Sequence, residues 1–445
     1  MKIWQVLHGF PPELSGGTER TVEALARAMQ GRGHDLRVVC GSIAPGDALE
    51  PLHSEFEGLS ITRLGREDLD FESWEKAYSP RVSDGFRALI RSERPDVVHV
   101  HHWIRLSTDL CRIAKAEGVP VVAVHLHDYW TQQASPVRRA DTTVPTPPAA
   151  PPWMNSAERR EAFALHRRDL TCEVRAADLR FAPCRAHADG VQEFAERDLG
   201  PIEVSNPALL DVPARRPTRT GPRRKLLFFG SVYPEKGLIT VLEAMHIAEE
   251  RYSLIVLGAA HDEAYRARLE GLSQGLDVRF AGAFSTGDLQ SVEADLMVLP
   301  SLCHESYGLV LDEARALGFP VLASDLPSLR EHADPNATRW FEPGSAKSLA
   351  ALLNDPDDLD SMSEPVQPEL VSAAESADAL LERYEAARRG EIDRAADDGV
   401  AELDDHTRLR AMFRRAERRL WSSLQNGQPT PPPDEFLGPD SRETC

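Results

Sequence analysis

Short apolar runs alternate with amphipathic helical patterns along most of this chain, and this alternation limits its possible folds more than any other feature. Residues 96–101 and 120–126 are nearly unbroken runs of Val, Ala, Leu and His. Strands of this kind are buried on both faces, so they indicate a parallel sheet covered by helices on each side. Between such runs, the spacing of Val22, Leu25 and Met29 predicts an amphipathic helix over residues 18–30.

The alternation occurs twice, on either side of residues 212–224. That segment reads V-P-A-R-R-P-T-R-T-G-P-R-R and lacks apolar periodicity, so it is the best domain boundary in the chain. We predict an N-terminal doubly wound domain over residues 1–212 and a second over 225–371. A helix at 372–389 is expected to cross back to the first domain. Residues 390–445 are predicted to form an amphipathic helical extension and a disordered tail.

Composition excludes several classes of protein. The formal net charge of −20 over 445 residues argues against a nucleic-acid partner, because phosphate neutralisation supplies most of that affinity. None of the apolar runs approaches the roughly 20 residues that a membrane span needs, and the N-terminus lacks the pattern of a signal peptide. The six cysteines are scattered without a C-x-x-C pair, which favours a reducing compartment and no zinc site. A cytoplasmic location is therefore expected.

Residues 304–314, H-E-S-Y-G-L-V-L-D-E-A, follow a predicted buried strand and open a predicted helix. The amides of Tyr307, Gly308 and Leu309 would then be unpaired at the positive end of that helix, which suits a diphosphate. Glu305 is expected in the loop and Glu313 about one turn into the helix, so the two carboxylates would lie on either side of the phosphates. The alternative is that both acids are ordinary solvated charges.

The stretch E-S-Y-G-L-V-L-D-E-A resembles the signature of the retaining glycosyltransferases of family four, which have the GT-B fold. The resemblance implies two Rossmann-like parallel-sheet domains facing each other across a cleft. It also implies that Glu305 meets the donor sugar, Glu313 meets the ribose, and the amides of Tyr307, Gly308 and Leu309 bind the diphosphate. It covers roughly residues 1–390.

Two further loops resemble donor-binding loops of the same family. Gly16 and Gly17, between a strand and a helix that Ser15 or Thr18 is expected to cap, resemble the N-terminal glycine loop; a plain tight turn is the alternative.

The second loop is G-S-V-Y-P-E-K-G, residues 230–237. It implies a diphosphate-binding role for Lys236, for which a solvated lysine is the alternative. Ser231 stands where the family usually has arginine, so one positive clamp is missing.

Two histidine clusters end neighbouring strands, at residues 99–102 and 125–127. The motif H-D-Y-W resembles the family motif whose histidine lies near the transferred sugar, which assigns that role to His127. A metal site is the less favoured alternative, because carboxylate or cysteine ligands at suitable spacings are lacking. A histidine bonded to a neighbouring carbonyl is the simplest alternative. Asp128 is expected to orient His127 or to cap the next helix.

Two segments point to partners. The Pro-rich stretch 135–153 is either an acceptor loop or lid, or a neutral insertion. Residues 406–424 form a basic amphipathic pattern with Trp421, which favours packing on the acidic body of the protein. Peripheral contact with the inner face of a membrane and oligomerisation through the same helix are the alternatives.

The resemblance implies a retaining transfer from a nucleotide diphosphate sugar by a front-face, metal-independent route, with UDP expected and GDP as the alternative nucleotide. His127, Glu305 and Lys236 are the expected catalytic residues, and the chain needs no separate cofactor. The acceptor would be a sugar, a lipid-linked molecule or another small molecule. Two other readings stay open: another GT-B enzyme such as a phosphorylase or epimerase, and a non-catalytic scaffold or sugar-binding protein, which Ser231 favours.

Overall fold

A computed structural model describes residues 1–67, 77–133, 135, 137–145, 154–208, 224–260, 262–368 and 371–392, together with 408, 411, 412, 414, 415 and 418. The described residues form two α/β lobes, each built on its own mainly parallel sheet. The fold class predicted from the sequence is therefore confirmed.

The first lobe contains an eight-stranded sheet in the order β3-β4-β2-β1-β5-β6-β7-β8. Its strands are β1 (Lys2–Leu7), β2 (Asp35–Pro45), β3 (Leu52–Phe56), β4 (Leu59–Arg66), β5 (Val97–Val100), β6 (Val121–His125), β7 (Leu179–Ala182) and β8 (Glu203–Val204). Its helices are α1 (Gly17–Gln30), α2 (Pro80–Glu93), α3 (Leu110–Ala116), α4 (Trp130–Gln133), α5 (Ser156–Arg175) and α6 (Arg185–Phe194). Only β3 runs antiparallel to its neighbour among the described strands.

The second lobe contains a six-stranded parallel sheet in the order β11-β10-β9-β12-β13-β14. Its strands are β9 (Lys225–Phe229), β10 (Ser253–Leu257), β11 (Asp277–Gly282), β12 (Leu296–Leu299), β13 (Val321–Ser324) and β14 (Thr338–Phe341). Its helices are α7 (Leu238–Ile247), α8 (Glu263–Leu272), α9 (Thr286–Ser291), α10 (Leu309–Leu317), α11 (Pro327–His332), α12 (Ala346–Leu353) and α13 (Pro356–Ser361), and a 3-10 turn covers Pro234–Lys236.

The last long helix, α14 (Ala373–Arg389), leaves the second lobe and packs against α1 of the first. Its apolar face joins one of the two core clusters of the first lobe, where Leu380 and Tyr384 are buried beside residues of β1 and α1. Arg32 pairs with Asp378 and Arg383 pairs with Glu203, so polar contacts flank the packed face. Two Ser/Glu capping bonds between Ser372 and Glu375 start the helix.

The structure corrects several local predictions. The sequence of residues 355–368 is acidic with several Pro and predicts a loop, but Pro356–Ser361 is a helix because the Asp355 side chain caps its first turn. Gly16, rather than Ser15 or Thr18, is the N-cap of α1, and the Glu19 carboxylate accepts from the Gly16 amide. The short strands β3 and β14 were not predicted.

Some predictions fall outside the described residues. They include most of the boundary at 212–224, residues 136 and 146–153 of the Pro-rich stretch, the tail, and most of the segment 406–424. Within that last segment, Met412 is buried and Arg408, Arg414, Arg415 and Arg418 are exposed. In the part of the chain that the structure describes, none of the helices combines the length and the apolarity that crossing a membrane requires.

The packing of α14 makes a prediction about stability. Leu380 is 1% exposed, so Leu380→Ala leaves a cavity in the first lobe and should lower the free energy of unfolding by about 2–5 kcal/mol. Urea unfolding followed by circular dichroism measures the change. Asp378→Ala is the matched control on the same helix: its side chain is 62% exposed, so the unfolding midpoint should stay close to that of the wild type. Equal effects of the two substitutions would contradict this packing.

Candidate active site between the two sheets

The second sheet changes winding direction between β9 and β12, which are adjacent although β10 and β11 lie between them in sequence. Ligands of such sheets bind beyond the carboxyl ends of the strands at this switch point. The two loops that leave these strands approach each other closely. A Cβ atom on Gly237 would lie 1.9 Å from the Pro300 carbonyl oxygen, and the Leu302 amide donates to the Glu235 carbonyl at 2.8 Å. The switch point therefore brings Lys236 and Glu305 together.

Lys236 and Glu305 form a half-buried ion pair, with Nζ and Oε1 2.6 Å apart and side chains 23% and 16% exposed. The hydroxyl of Ser301 donates to the same carboxylate oxygen. Burial alone would lower the pKa of Lys236, but Glu305 and then Tyr233 outweigh it and raise that pKa above its ordinary value. Lys236 therefore carries a fixed positive charge at neutral pH.

A backbone cradle lies one loop further along, where α10 begins. Gly308 is its N-cap with φ of 93°, a conformation that favours glycine. A Cβ atom there would also lie 2.4 Å from Cδ2 of Leu329. The amides of Tyr307, Gly308 and Leu309 donate no hydrogen bond to any described residue, whereas the Leu311 amide closes the first turn on the Gly308 carbonyl at 2.8 Å. The helix thus presents unpaired donors at its positive end.

A cluster that sequence reasoning missed fixes this cradle. The Tyr307 hydroxyl donates to Asp312 at 2.8 Å, and its ring stacks on His332 with centroids 4.3 Å apart. His332 faces the Asp312 carboxylate with Nδ1 and the Tyr307 carbonyl with Nε2. Burial, followed by the charge of Asp312, raises the pKa of Tyr307. The side chain of Tyr307 therefore serves the loop, and only its amide is left for a ligand.

Two further residues that the sequence predicts to bind the donor, Glu313 and Ser231, also lie in this lobe. Glu313 is half-buried on α10, one turn beyond the cradle, as the motif spacing predicts. Ser231 is exposed immediately after Gly230 at the end of β9. The ligand contacts expected of both residues remain predictions.

The two lobes touch around the Glu305 loop. The Cys184 thiol donates to the Ser306 carbonyl at 3.1 Å, and the Arg185 amide at the start of α6 donates to Glu331 at 3.0 Å. Residues 137–140 run alongside the loop, where the His304 amide donates to the Arg138 carbonyl at 2.8 Å. A cavity of about 470 Å³ lies between α6, Arg138 and this loop, and Glu305 is part of its wall.

His127 follows β6 in the first lobe and is half-buried. Its Nε2 lies 2.9 Å from Nδ1 of His101, whose Nε2 lies 2.6 Å from the side-chain oxygen of Gln5. Burial lowers the pKa of His127 to about 3, against the opposing effect of Asp128, so its ring is neutral at physiological pH. Asp128 itself accepts from His102 and from the Trp130 amide, so it caps α4 and orients His102 rather than His127.

The histidines in and just after β5 and β6 are also candidates for metal ligands. One nitrogen from each of His99, His101 and His125 falls within 4.8 Å of the others. The rings of His99 and His101 lie 18° and 22° from the plane of His125, so their in-plane lone pairs point side by side rather than at one ion. His101 also uses both of its nitrogens for Gln5 and His127. This geometry favours a hydrogen-bonded stack over a metal centre.

The Gly16–Gly17 loop makes its contacts within the first lobe. The Gly16 amide donates to Glu19 at 2.9 Å, so this amide is already used. Glu19 also accepts from His8 at 2.8 Å. Gly17 is exposed, and a Cβ atom added to it would meet nothing within 4 Å. A role for the two glycines in donor binding stays a prediction.

Comparison with known proteins gives matches along most of the chain. The model described as Glycosyltransferase Family 4 matches residues 15–205, and the one described as Glycosyl transferases group 1 matches residues 214–364. The glycogen synthase of Mycobacterium tuberculosis is 27% identical over 424 residues, which cover 88% of this chain and 96% of that protein.

Solved structures share the architecture. Sucrose-phosphate synthase from Thermosynechococcus elongatus superimposes with a TM-score of 0.58 at 18% identity. The superposition covers 95% of this chain and 100% of that one. Anabaena HepE in complex with UDP and glucose gives a TM-score of 0.53 at 16% identity, over 88% of this chain and 98% of that one. These likenesses concern the fold, whereas the family matches concern the sequence. The chain belongs to glycosyltransferase family 4 and is a glycosyltransferase of the GT-B fold.

Proposed function

We propose that this glycosyltransferase moves a sugar from a nucleotide diphosphate sugar to an acceptor with retention of configuration, by a front-face route that needs no metal. UDP is the proposed nucleotide and GDP the alternative. The observation that supports this proposal most strongly is the set of unpaired amides at Tyr307, Gly308 and Leu309. Lys236 is held nearby at the same switch point. Helix N-termini with free amides bind phosphate groups, and the nearby ammonium adds a full positive charge.

In the proposed complex, Lys236 turns from Glu305 to the diphosphate. Negative charge develops on the departing phosphate oxygen as the bond to the anomeric carbon breaks, and the amides and Lys236 stabilise that charge. Glu305 keeps its bond from Ser301 and accepts a hydroxyl of the donor sugar. The ion pair in the unliganded protein holds both side chains in place beforehand.

The front-face step needs no carboxylate nucleophile. The acceptor oxygen bonds the anomeric carbon on the face from which the diphosphate leaves, and the acceptor proton passes to the departing phosphate oxygen. His127 is neutral because burial lowers its pKa to about 3, so it lines the reacting face as a hydrogen-bonding group rather than as a cation. The two-carboxylate pathway of retaining hydrolases is therefore not required.

The interlobe cavity of about 470 Å³ is the proposed place for the reacting sugars, because Glu305 forms part of its wall. Among sugar, lipid-linked and small-molecule acceptors, the similarity to a glycogen synthase favours a sugar acceptor for the first tests. The UDP in HepE supports UDP as the first nucleotide to test. Membrane contact or oligomerisation through residues 406–424 and a cytoplasmic location remain predictions.

Removing either member of the ion pair should abolish most of the turnover. With UDP-, GDP- and ADP-sugars as donors, Lys236→Met and Glu305→Gln should each lower the rate of nucleoside diphosphate release by roughly 10²–10³-fold, the usual effect of losing one transition-state contact. Lys225→Met is the matched control. Lys225 pairs with Glu293 in the same lobe, but at 42% and 78% exposure.

The control should retain wild-type turnover. Release that survives both site substitutions unchanged would contradict the proposed site. A wild-type protein that neither binds nor cleaves any of the three donors would instead favour the scaffold reading.

Substitution of Ser231 tests whether an added positive charge strengthens the binding of the nucleotide. Ser231→Arg places a guanidinium in the loop after β9, where it should add a charge-assisted hydrogen bond to the diphosphate and lower the Kd for UDP by about tenfold or more. Isothermal titration calorimetry measures the change. Ser231→Gln, which adds length without charge, should bind UDP as the wild type does. Weaker binding by the arginine variant would place the diphosphate away from this loop.

A further inference from the structure

A chain of buried side chains connects the closing helix α14 to His127. Gln5 of β1 is 0% exposed and His101, just after β5, is 1% exposed. Tyr384 of α14 is fully buried beside them and holds Nδ1 of His99 with its hydroxyl at 2.6 Å. These positions meet where β1 and β5 pair, which is the winding switch of the first sheet. The proposed function does not use this chain beyond His127.

The orientation of the Gln5 amide sets the direction of every bond in the chain. Its nitrogen donates to the Met29 sulfur at 3.6 Å, and the Gln5 side chain partly offsets the rise that burial gives the Tyr384 pKa. A thioether sulfur can only accept, so the amide nitrogen belongs on the Met29 side. The amide oxygen therefore faces His101 Nε2, and an oxygen can only accept. His101 must carry its proton on Nε2.

The remaining protons follow from the neutral state of the two imidazoles. Burial lowers the pKa of His101 well below its ordinary value and that of His127 to about 3, so each ring has one proton. With Nε2 of His101 protonated, its Nδ1 can only accept, and His127 must donate from Nε2 across the 2.9 Å contact. Nδ1 of His127 then keeps a lone pair. Among the described residues, His101 is the only hydrogen-bond partner of His127.

We propose that Gln5, His101 and Tyr384 are positioning residues that fix His127 as its Nε2–H tautomer, with Nδ1 presented as an acceptor for a hydroxyl of the bound sugar. The second half of this statement rests on the proposed function, whereas the tautomer does not. Fixing the tautomer matters because the ring otherwise has two ways to face a hydroxyl, and only one of them accepts from it. The closing helix thereby contributes to the site although its apolar face packs into a core cluster of the first lobe.

Nitrogen-15 NMR of histidine-labelled protein tests the tautomer without any ligand. The resonances of His127 are assigned by their loss in His127→Ala. The wild type should show His127 as a single Nε2–H tautomer. Gln5→Leu and His101→Leu should replace it with averaged signals from both tautomers, because the acceptor chain is broken. His101→Asn, whose side-chain oxygen can stand near the lost Nδ1, should restore the single tautomer.

Tyr384→Phe tests the link to α14, since it removes the buried hydroxyl beside the Gln5 side chain, and it should partly average the His127 signals. His125→Leu is the matched control. His125 is 3% exposed and belongs to the same stack, but among the described residues it takes no part in the hydrogen bonds that link Gln5, His101 and His127. If these residues were only structural, the control would change the tautomer of His127 as much as His101→Leu does. That outcome would contradict the proposal.

Turnover of UDP-glucose tests whether the tautomer of His127 affects the reaction. His101→Leu should lower kcat/KM for UDP release by about tenfold, the value of one lost hydrogen bond, and His101→Asn should recover most of it. Wild-type His127 in the Nδ1–H form, or an unchanged spectrum in both leucine variants, would overturn the proposal. If the wild type does not turn over UDP-glucose, that result would count against the proposed function. The NMR spectra would still test the tautomer of His127 by themselves.

Discussion

The parallel pairing of β9 with β12 is the constraint on which the candidate site depends. Leu227 of β9 lies beside Met297 of β12, so both strands release their loops at the same edge of the sheet. The diphosphate site that we propose depends on that adjacency, since Lys236 comes from one loop while Glu305 and the amides come from the other. The close approach at Gly237, which leaves no room for a Cβ atom, keeps the two loops in register.

The first lobe repeats this arrangement with different chemistry. Its winding switch lies between β1 and β5 and is filled by neutral polar side chains rather than by a charged pair. Because burial keeps His101 and His127 uncharged, we propose that this side of the cleft orients hydroxyl groups, whereas Lys236 of the second lobe supplies positive charge for phosphate. The helix α14 and the contacts of Cys184 and Arg185 hold the two sides together.

The sequence predicted the parts of the molecule that depend on periodicity and on local spacing. Buried parallel strands and the E-S-Y-G-L-V-L-D-E-A motif have strong local patterns, so the fold, the start of α10 and the pairing of two donor loops could be expected. The contacts of Asp312 with Tyr307 and His332 join positions up to 20 residues apart, and the bond between His99 and Tyr384 spans 285 residues. Such contacts exist only once the chain has folded. The cap at Gly16 was missed because its bond comes from the Glu19 side chain.

We propose above all that a nucleoside diphosphate lies on the amides at the start of α10. A crystal structure of the protein with UDP, or with GDP if UDP does not bind, tests it most directly. We expect phosphate oxygens within hydrogen-bond distance of the Gly308 and Leu309 amides, and a Lys236 side chain that has moved from Glu305 to the diphosphate. A diphosphate bound elsewhere in the cleft, with the Lys236–Glu305 pair intact, would contradict it.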